Sequence, residues 1–271
     1  MTELVGNCAR YADSVDEQHQ RPTRGGNEQR LPPPSWQTGE VVGVIVETPE
    51  TNTLRIRVPE ARPFLPGQYY NIRIPVEGRP RPIQRAYSIG SSPIPDHAVI
   101  DVGVRETPGG LVSPVLVRQV QEGDKLEVRG PYGSFTWTEE LGGPLLLIGA
   151  GSGVVPLMAM IRYAVARPVT VPMHLLFSSK SHEYAIYADD LAVLEERHDW
   201  LSVSHVFTRD PLDTRARFHR RIDKEMIAEV YADVQPALAY LCGPPEMVEE
   251  SEKVLINLGM EPKSVMTEKY D

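Results

Sequence analysis

The chain has 271 residues, 41% of them hydrophobic, which is enough to bury the cores of two domains of ordinary size. Its formal net charge of -9 argues against a general nucleic-acid binder, because such proteins usually present a basic surface. The first residues carry charges and no apolar core, which argues against a secretory leader and makes a cytoplasmic location the expectation.

Metal ligands are sparse in this sequence. The two cysteines, Cys8 and Cys242, lie far apart, and the seven histidines include no closely spaced ligand pair. A four-thiolate iron–sulfur cluster or a paired-cysteine zinc site needs more thiolates than these two residues supply. We therefore expect no metal site, and we expect any electron transfer through a metal centre to involve a second polypeptide.

One segment, residues 141–161, contains no charged residue and is about as long as a membrane helix. Several glycines and prolines interrupt it, and its continuous apolar run, Leu145 to Ile148, has only the length of a strand. The pattern therefore predicts a buried strand, a glycine turn and a helix, and we expect no association with a membrane.

The first half of the chain predicts a tail followed by a barrel. Residues 1–38 are rich in Arg, Gln, Gly and Pro, which predicts a flexible tail. In residues 39–142, short alternating or β-branched runs between turn residues predict an antiparallel β barrel. A helix is predicted from an N-cap at Ser113, through Pro114, to about Gln121. The predicted strands are Val41 to Glu47, Thr53 to Val58, Gln68 to Pro75, Ala98 to Arg105 and Lys125 to Arg129.

Residues 143–271 alternate between strand and helix patterns, which predicts a second, α/β domain. This alternation is typical of a parallel sheet with helices on both faces. Five strands are predicted, at Leu145 to Ile148, Pro172 to Phe177, Leu201 to Phe207, Ala237 to Leu241 and Ser264 to Met266. The predicted helices are Val155 to Ala166, Ala188 to Glu196, Lys224 to Ala232 and Glu246 to Leu258.

Two glycine-rich turns are candidate phosphate sites. Gly149 to Pro156 joins the first parallel strand to its helix, where backbone amides and the helix N-terminus favour an anion, although tight turns also need glycine for geometry alone. Gly109 to Pro114 enters the barrel helix, where Ser113 either caps that helix or donates its hydroxyl to an anion. Two such sites in two domains suggest two cofactors.

A third candidate is the extended segment Arg85-Ala86-Tyr87-Ser88. Because side chains alternate along a strand, Arg85 and Tyr87 are expected on one face, and Ser88 on the other face or at a neighbouring edge. A guanidinium beside an aromatic ring can bind a phosphate and cover a flat heterocycle, although these residues are also ordinary on a sheet surface.

Taken in order, these segments resemble the ferredoxin-NADP reductase family, in the branch of bacterial FAD-binding oxygenase reductases. The resemblance extends from about Gly39 to Tyr270, and its specificity comes from the joint order and spacing of motifs that are individually modest. The matching segments are Pro66 to Tyr69, Arg85 to Ser88, Gly109 to Ser113, Gly130 to Gly133, Gly149 to Pro156 and Cys242 to Val248.

The resemblance implies that the barrel binds FAD. Arg85 is implied to contact the flavin phosphates, Tyr87 to pack on the isoalloxazine ring, and Ser88 to lie near its N5 atom. The remaining pyrophosphate oxygens would be held by the next glycine turn, through Gly110, Leu111, Val112 and Ser113.

The resemblance also implies that the second domain binds a nicotinamide nucleotide. By itself Cys242 has the features of a buried core residue, but the motif implies that it positions the nicotinamide without thiolate chemistry. Glu268 would stand near the carboxamide and Tyr270 would cover the flavin, unless both belong to a frayed end. The other implied contacts are Gly151, Ser152, Gly153 and Pro156 in the turn, and Gly243, Pro244 and Met247 after Cys242.

The choice of nucleotide depends on the loops after the later strands. A ribose 2'-phosphate needs an added cation and hydroxyl, so Thr208 and Arg209 favour NADPH, with NADH as the alternative. These charges would otherwise only offset nearby acids or form a docking patch for an acidic partner. Other candidates in these loops are Arg215, Arg217, Arg220, Arg221, Ser178, Ser179 and Lys180.

The resulting hypothesis is a flavin-dependent oxidoreductase. NADPH would deliver a hydride to FAD, with Ser88, Tyr87, Cys242 and Glu268 around the reacting rings. Electrons would then pass singly to a separate carrier, namely a ferredoxin, a flavodoxin, a haem protein or an oxygenase component. The alternatives are a flavin or quinone reductase that uses diffusible acceptors, and a flavin-binding electron-transfer subunit of a larger complex.

Overall fold

The computed structural model describes residues 32–270. The predicted tail over residues 1–38 falls largely outside this range, as does Cys8. From Trp36 onward the chain forms one compact unit that contains two sheets.

The first sheet is antiparallel and barrel-like. Its six strands lie in the order β4-β3-β6-β1-β2-β5, and a bridge between Ile89 and Val102 joins its two ends. Alternating apolar side chains, including Leu54, Ile56 and Val102, fill the interior. The strands are β1 Gln37–Thr48, β2 Thr51–Arg57, β3 Tyr69–Ile74, β4 Ile83–Ser88, β5 Val99–Arg105 and β6 Lys125–Tyr132.

The single helix of the barrel, α1 (Ser113–Arg118), is shorter than predicted and begins differently. Val112 occupies the N-cap position, and the Ser113 hydroxyl accepts a hydrogen bond from the Thr107 N–H at 3.0 Å instead of capping the helix. The predicted extension to Gln121 is wrong, because the N–H groups of both Gln119 and Val120 turn back to the Val115 carbonyl.

The second sheet is parallel, with strand order β11-β10-β7-β8-β9. Leu147 and Phe177 lie in one hydrophobic cluster with α2 and α3, and Ile148 and Leu176 lie in another with α4 and α5. The predicted fold class, a barrel followed by a parallel sheet covered on both faces, is thus confirmed. The elements are β7 Leu145–Ala150, α2 Val154–Ala166, β8 Met173–Ser179, α3 Ala188–Arg197, β9 Leu201–Phe207, α4 Lys224–Val234, β10 Leu238–Gly243, α5 Pro245–Asn257 and β11 Val265–Lys269.

The uncharged segment 141–161 forms β7, the glycine turn and the first part of α2. Within residues 32–270, no helix has both the length and the apolar character needed to cross a membrane.

Two glycines of the barrel let the sheets approach closely along a line that we call the seam. A Cβ atom on Gly90 would lie 2.6 Å from Tyr187 Oη, and one on Gly103 would lie 2.4 Å from Val155 Cγ2. Arg162 of α2 reinforces this contact, since its Nη1 donates to the Gly90 carbonyl at 2.8 Å and its guanidinium lies 4.7 Å from the Tyr187 ring centroid. The seam therefore fixes the start of α2 against the barrel.

Gly103→Ala tests the seam. Because its new methyl group overlaps Val155, we expect the free energy of unfolding to fall by about 1 to 3 kcal/mol, measured by urea denaturation. Adding Val155→Ala should recover part of the loss. Gly43→Ala is the control, because a Cβ there meets its nearest atom, Arg55 Cβ, at 3.6 Å. Equal effects at Gly103 and Gly43 would contradict the steric account of the seam.

Candidate active site

A groove of about 720 Å³ is lined by residues of the barrel and of the parallel sheet, and we call it the larger groove. The seam brings these two sets of residues together. The groove is large enough for a cofactor, since small-molecule sites typically occupy about 300 to 1,000 Å³. The sequence-predicted residues that line it are Arg85, Tyr87, Ser88, Gly110, Leu111, Val112, Ser113, Ser152, Pro244, Glu268 and Tyr270.

Strand β4 supplies the barrel side of the larger groove. Arg85 is exposed, and its Nη1 donates to the Gln84 carbonyl at 2.8 Å, which orients the guanidinium. Tyr87 packs partly against the barrel core, and burial raises its pKa to about 12, so its hydroxyl stays protonated. Ser88, the last residue of this strand, lines the groove as well.

The turn before α1 forms another wall of the groove. The Gly110 N–H donates to the Thr107 carbonyl at 2.9 Å, and a Cβ on Gly110 would lie 2.9 Å from that same oxygen. The Ser113 hydroxyl accepts from the Thr107 N–H, which closes the turn from its other end. Ser113 thus stabilises the turn and also lines the groove. Its contact with an anion stays a prediction.

Ser88 and Glu268 line the larger groove from different sheets. Glu268 lies on β11, in register with Cys242 on β10, whereas Ser88 ends β4. Burial raises the pKa of Glu268, and the interaction with the Ser88 hydroxyl opposes part of that rise. Two residues that the sequence assigned to the reacting rings are therefore brought to one groove.

Tyr270 also lines this groove. Its hydroxyl donates to the Ala150 carbonyl, and its backbone N–H donates to the Gly243 carbonyl at 3.3 Å. A Cβ on Gly153 would lie 2.9 Å from Tyr270 Oη and 2.1 Å from the Cys242 carbonyl oxygen. The glycine turn thus packs directly against the β10 strand end and leaves no room for a side chain at Gly153.

Cys242 lies beneath the groove surface. It is buried, and burial together with the neighbouring Glu268 raises the pKa of its thiol, which keeps the sulfur protonated. A protonated thiol fits a packing or positioning role. Five predicted contacts do not line either described pocket, namely Cys242, Gly243, Met247, Gly153 and Pro156.

A second cavity of about 320 Å³, the smaller pocket, lies where β8 and β9 end. The Arg209 N–H donates to the Lys180 carbonyl at 2.8 Å, and the Thr208 N–H donates to the Ser179 carbonyl at 3.0 Å. These bonds hold the two strand ends together. The residues of the parallel-sheet region that line the pocket include Gly151, Ser178, Ser179, Lys180, Thr208, Arg209, Arg221 and Pro244.

Arg217 does not line the smaller pocket, contrary to the prediction. Its Nη2 lies 2.6 Å from Glu229 and 3.0 Å from Asp233, both on α4. Of the other basic residues in this loop, Arg215 pairs with Asp213 and Arg220 pairs with Asp223. For these three arginines the alternative interpretation applies, in which the charges offset nearby acids.

Several residues that line the two cavities were not predicted from the sequence. Arg105, at the end of β5, lines both cavities, and Tyr69 lines the larger groove opposite Ser88 in the β3–β4 register. Arg105 had a usable signal, because it ends a predicted strand four residues before the Gly109 turn. No local sequence signal marks Glu50 and Thr48, because only the folded arrangement brings the connection between β1 and β2 next to the parallel sheet.

Comparison with known families agrees with this architecture. Residues 39–137 match the oxidoreductase FAD-binding domain, and residues 147–253 match the oxidoreductase NAD-binding domain. The ferredoxin–NAD(P)(+) reductase component of a naphthalene 1,2-dioxygenase system from Pseudomonas putida is 29% identical over 268 residues, covering 98% of this chain and 75% of that protein. The corresponding reductase component of naphthalene 1,2-dioxygenase/salicylate 5-hydroxylase systems from a Ralstonia species is 27% identical over 232 residues, covering 86% of this chain and 68% of that protein.

Solved structures agree as well. A cytochrome P450 reductase from Amycolatopsis superposes with a TM-score of 0.76 at 27% identity, covering 88% of this chain and 70% of that one. The ferredoxin reductase in carbazole 1,9a-dioxygenase gives a TM-score of 0.72 at 25% identity, covering 89% and 71%. Fold and site together define a flavin- and nicotinamide-dependent oxidoreductase. The chain belongs to the ferredoxin-NADP reductase family.

Glu268→Gln should remove a pH dependence of stability. The pKa of Glu268 is raised above its ordinary value of 4.5, so the folded chain binds this proton more tightly than the unfolded chain. The associated stability is present below pH 4.5 and is lost as the pH rises through the folded pKa. Urea unfolding between about pH 4 and 8 should show wild type losing stability relative to Glu268→Gln as pH increases.

Ser88→Ala provides the matched comparison for this effect. It removes the hydrogen bond that lowers the pKa of Glu268, so the loss of stability should extend to higher pH than in wild type. If the difference between wild type and Glu268→Gln is constant with pH, the Glu268 carboxyl has no shifted pKa.

Proposed function

We propose that this chain is the reductase of an oxygenase system, taking electrons from NADPH through FAD and passing them singly to a separate carrier. The shared lining of the larger groove carries this proposal, because Arg85, Tyr87 and Ser88 of β4 line it together with Glu268 and Tyr270 from the end of the parallel sheet. Relatives that serve as reductase components of dioxygenase systems support the assignment of a ferredoxin or oxygenase component as partner.

The residues of the larger groove fit a bound FAD. Arg85 offers an exposed guanidinium for a phosphate, and Tyr87 offers a half-buried ring with apolar area for a flat heterocycle. Next to them, the backbone of Leu111 and Val112 lines the groove and would hold a pyrophosphate, whereas the Gly110 N–H is taken by the Thr107 carbonyl. When bound, the flavin supplies the conversion between a two-electron hydride donor and one-electron acceptors.

The chain's own residues would bind and orient the reacting groups. Ser88 would present its hydroxyl to the flavin edge, and Glu268 would orient the nicotinamide carboxamide. Tyr270 would occupy the nicotinamide position until the nucleotide arrives, because it lines the same groove as Glu268. Cys242 would set the depth of the site as a neutral, buried group.

The smaller pocket supports the preference for NADPH. Arg209, Lys180 and Arg221 place cations at the ends of β8 and β9, where a ribose 2'-phosphate needs them. The Ser178 side chain would add a hydroxyl donor, whereas the Thr208 hydroxyl donates to the Ser179 carbonyl at 3.2 Å. A cytoplasmic location fits this role, since NADPH is supplied there.

Anaerobic titration of the purified chain with NADPH and with NADH, followed by flavin absorbance, tests the proposal. We expect bound FAD that is bleached at lower concentrations of NADPH than of NADH. Reoxidation should be fast with a ferredoxin-type carrier and slow with free flavins or quinones. A chain that purifies and reconstitutes without flavin would contradict the assignment, whereas fast reoxidation by quinones alone would identify a quinone reductase.

Arg85→Ala should weaken FAD retention. Loss of one charged hydrogen-bond partner costs about 1.5 to 3 kcal/mol, so the dissociation constant should rise roughly tenfold to a hundredfold. Equilibrium dialysis or fluorescence of the released flavin would measure this. Arg79→Ala is the control, because Arg79 is exposed in the same β3–β4 hairpin but is not among the described residues lining the groove. Equal flavin affinity in wild type and Arg85→Ala would remove Arg85 from the site.

A further inference from the structure

The smaller pocket holds one carboxylate among four cations, within the part of the chain that the structure describes. The cations are Lys180, Arg209 and Arg221, which follow the parallel strands, and Arg105 of the barrel. The carboxylate is Glu50, which lies in the turn between β1 and β2 of the barrel. A pocket built only to attract phosphate would gain nothing from this residue, because a carboxylate repels an anion.

The backbone fixes Glu50 in this position. Its N–H donates to Thr48 Oγ1 at 3.2 Å, and its carbonyl accepts from the Glu106 N–H at 2.8 Å. Neither bond involves the carboxylate, so the side chain can change without loss of the turn. The β1–β2 hairpin therefore holds the Glu50 side chain at the pocket as part of the barrel framework.

The Glu50 carboxylate forms an ion pair with Lys180. Lys180 Nζ lies 2.5 Å from Oε1 and 2.6 Å from Oε2, whereas Arg105 Nη2 is farther away, 3.6 Å from Oε2. This ion pair links the barrel to the end of β8. Lys180 also lies 4.5 Å from the Tyr184 ring centroid, which limits where its ammonium group can move.

We propose that Glu50 is an internal counterion that competes with the 2'-phosphate of the nucleotide for Lys180, and so limits the preference of this pocket for NADPH over NADH. The proposal rests on the proposed function, because it takes the smaller pocket as the site of the adenosine ribose. To bind Lys180, a 2'-phosphate must displace it from Glu50 and must approach the like charge of that carboxylate. Both requirements reduce the binding free energy that the phosphate gains from the pocket. The 2'-hydroxyl of NADH is neutral and is not penalised in this way, since a carboxylate accepts its hydrogen bond.

Binding of two nucleotide fragments isolates this effect from catalysis. The probes are 2',5'-ADP and 5'-AMP, which differ only in the 2'-phosphate, titrated calorimetrically at low salt. In Glu50→Gln we expect 2',5'-ADP to bind about fivefold more tightly, the upper range for releasing one partly exposed ion pair. Binding of 5'-AMP should change less than about twofold.

Glu127→Gln is the matched control. Glu127 is another barrel carboxylate with an ion pair, 2.7 Å from Arg73, and it does not line either described pocket. Its substitution should leave the affinity for both probes unchanged. Equal or weaker binding of 2',5'-ADP in Glu50→Gln, with a melting temperature like that of wild type, would overturn the proposal.

Lys180→Met tests whether Glu50 acts through Lys180. This variant should bind 2',5'-ADP more weakly, and in its background Glu50→Gln should recover much less affinity than in wild type. A full gain in that background would show that Glu50 does not compete for Lys180, which also overturns the proposal. If wild type binds neither probe, the nucleotide site itself fails, whereas normal binding with unaltered selectivity in Glu50→Gln rejects only the role of Glu50.

Discussion

The close contact along the seam is the constraint on which the rest of the molecule depends. Gly90 and Gly103 have no side chains, so Val155 and Tyr187 of the α/β region pack directly on the barrel backbone. Ser88 lies two residues before Gly90, and Val155 lies just after the glycine turn of the parallel sheet. The seam therefore sets the distance between the two halves of the larger groove. A hydroxyl of the barrel, Ser88, and a carboxylate of the parallel sheet, Glu268, can then line one groove.

The fold was largely predictable because its signals are local. Buried parallel strands such as β7 are short apolar runs that end at glycine turns, and the barrel strands alternate with clear turn residues between them. The predicted bounds of strands and helices are wrong where contacts with residues outside the local pattern determine where the element begins or ends. Strand β1 begins at Gln37, before the apolar pattern, because its polar start pairs with β6. Helix α1 is short because the N–H groups of Gln119 and Val120 turn back to the Val115 carbonyl and end the helix at Arg118.

The site was predictable only in part, for the same physical reason. Arg85, Ser88 and Glu268 belong to ordered motifs, so resemblance could assign their roles before the structure brought them to one groove. The sequence alone does not distinguish the arginines that follow β9. Only the folded structure shows that Arg209 lines the smaller pocket while Arg217 forms an ion pair with Glu229 of α4. A long charged side chain can form an ion pair with any of several groups within a few ångströms. The spacing of residues in the sequence does not show which of these partners it contacts.

Cys242 places a sulfur atom beneath the larger groove in a form that resists oxidation. Peroxide attacks cysteine through its thiolate, and oxygen reacts with reduced flavins to produce peroxide. Burial and the adjacent Glu268 keep this thiol in its protonated form, and the Gly153 turn packs against its backbone. The residue can therefore act as a polarisable packing contact below the groove and still resist conversion to a sulfenic acid.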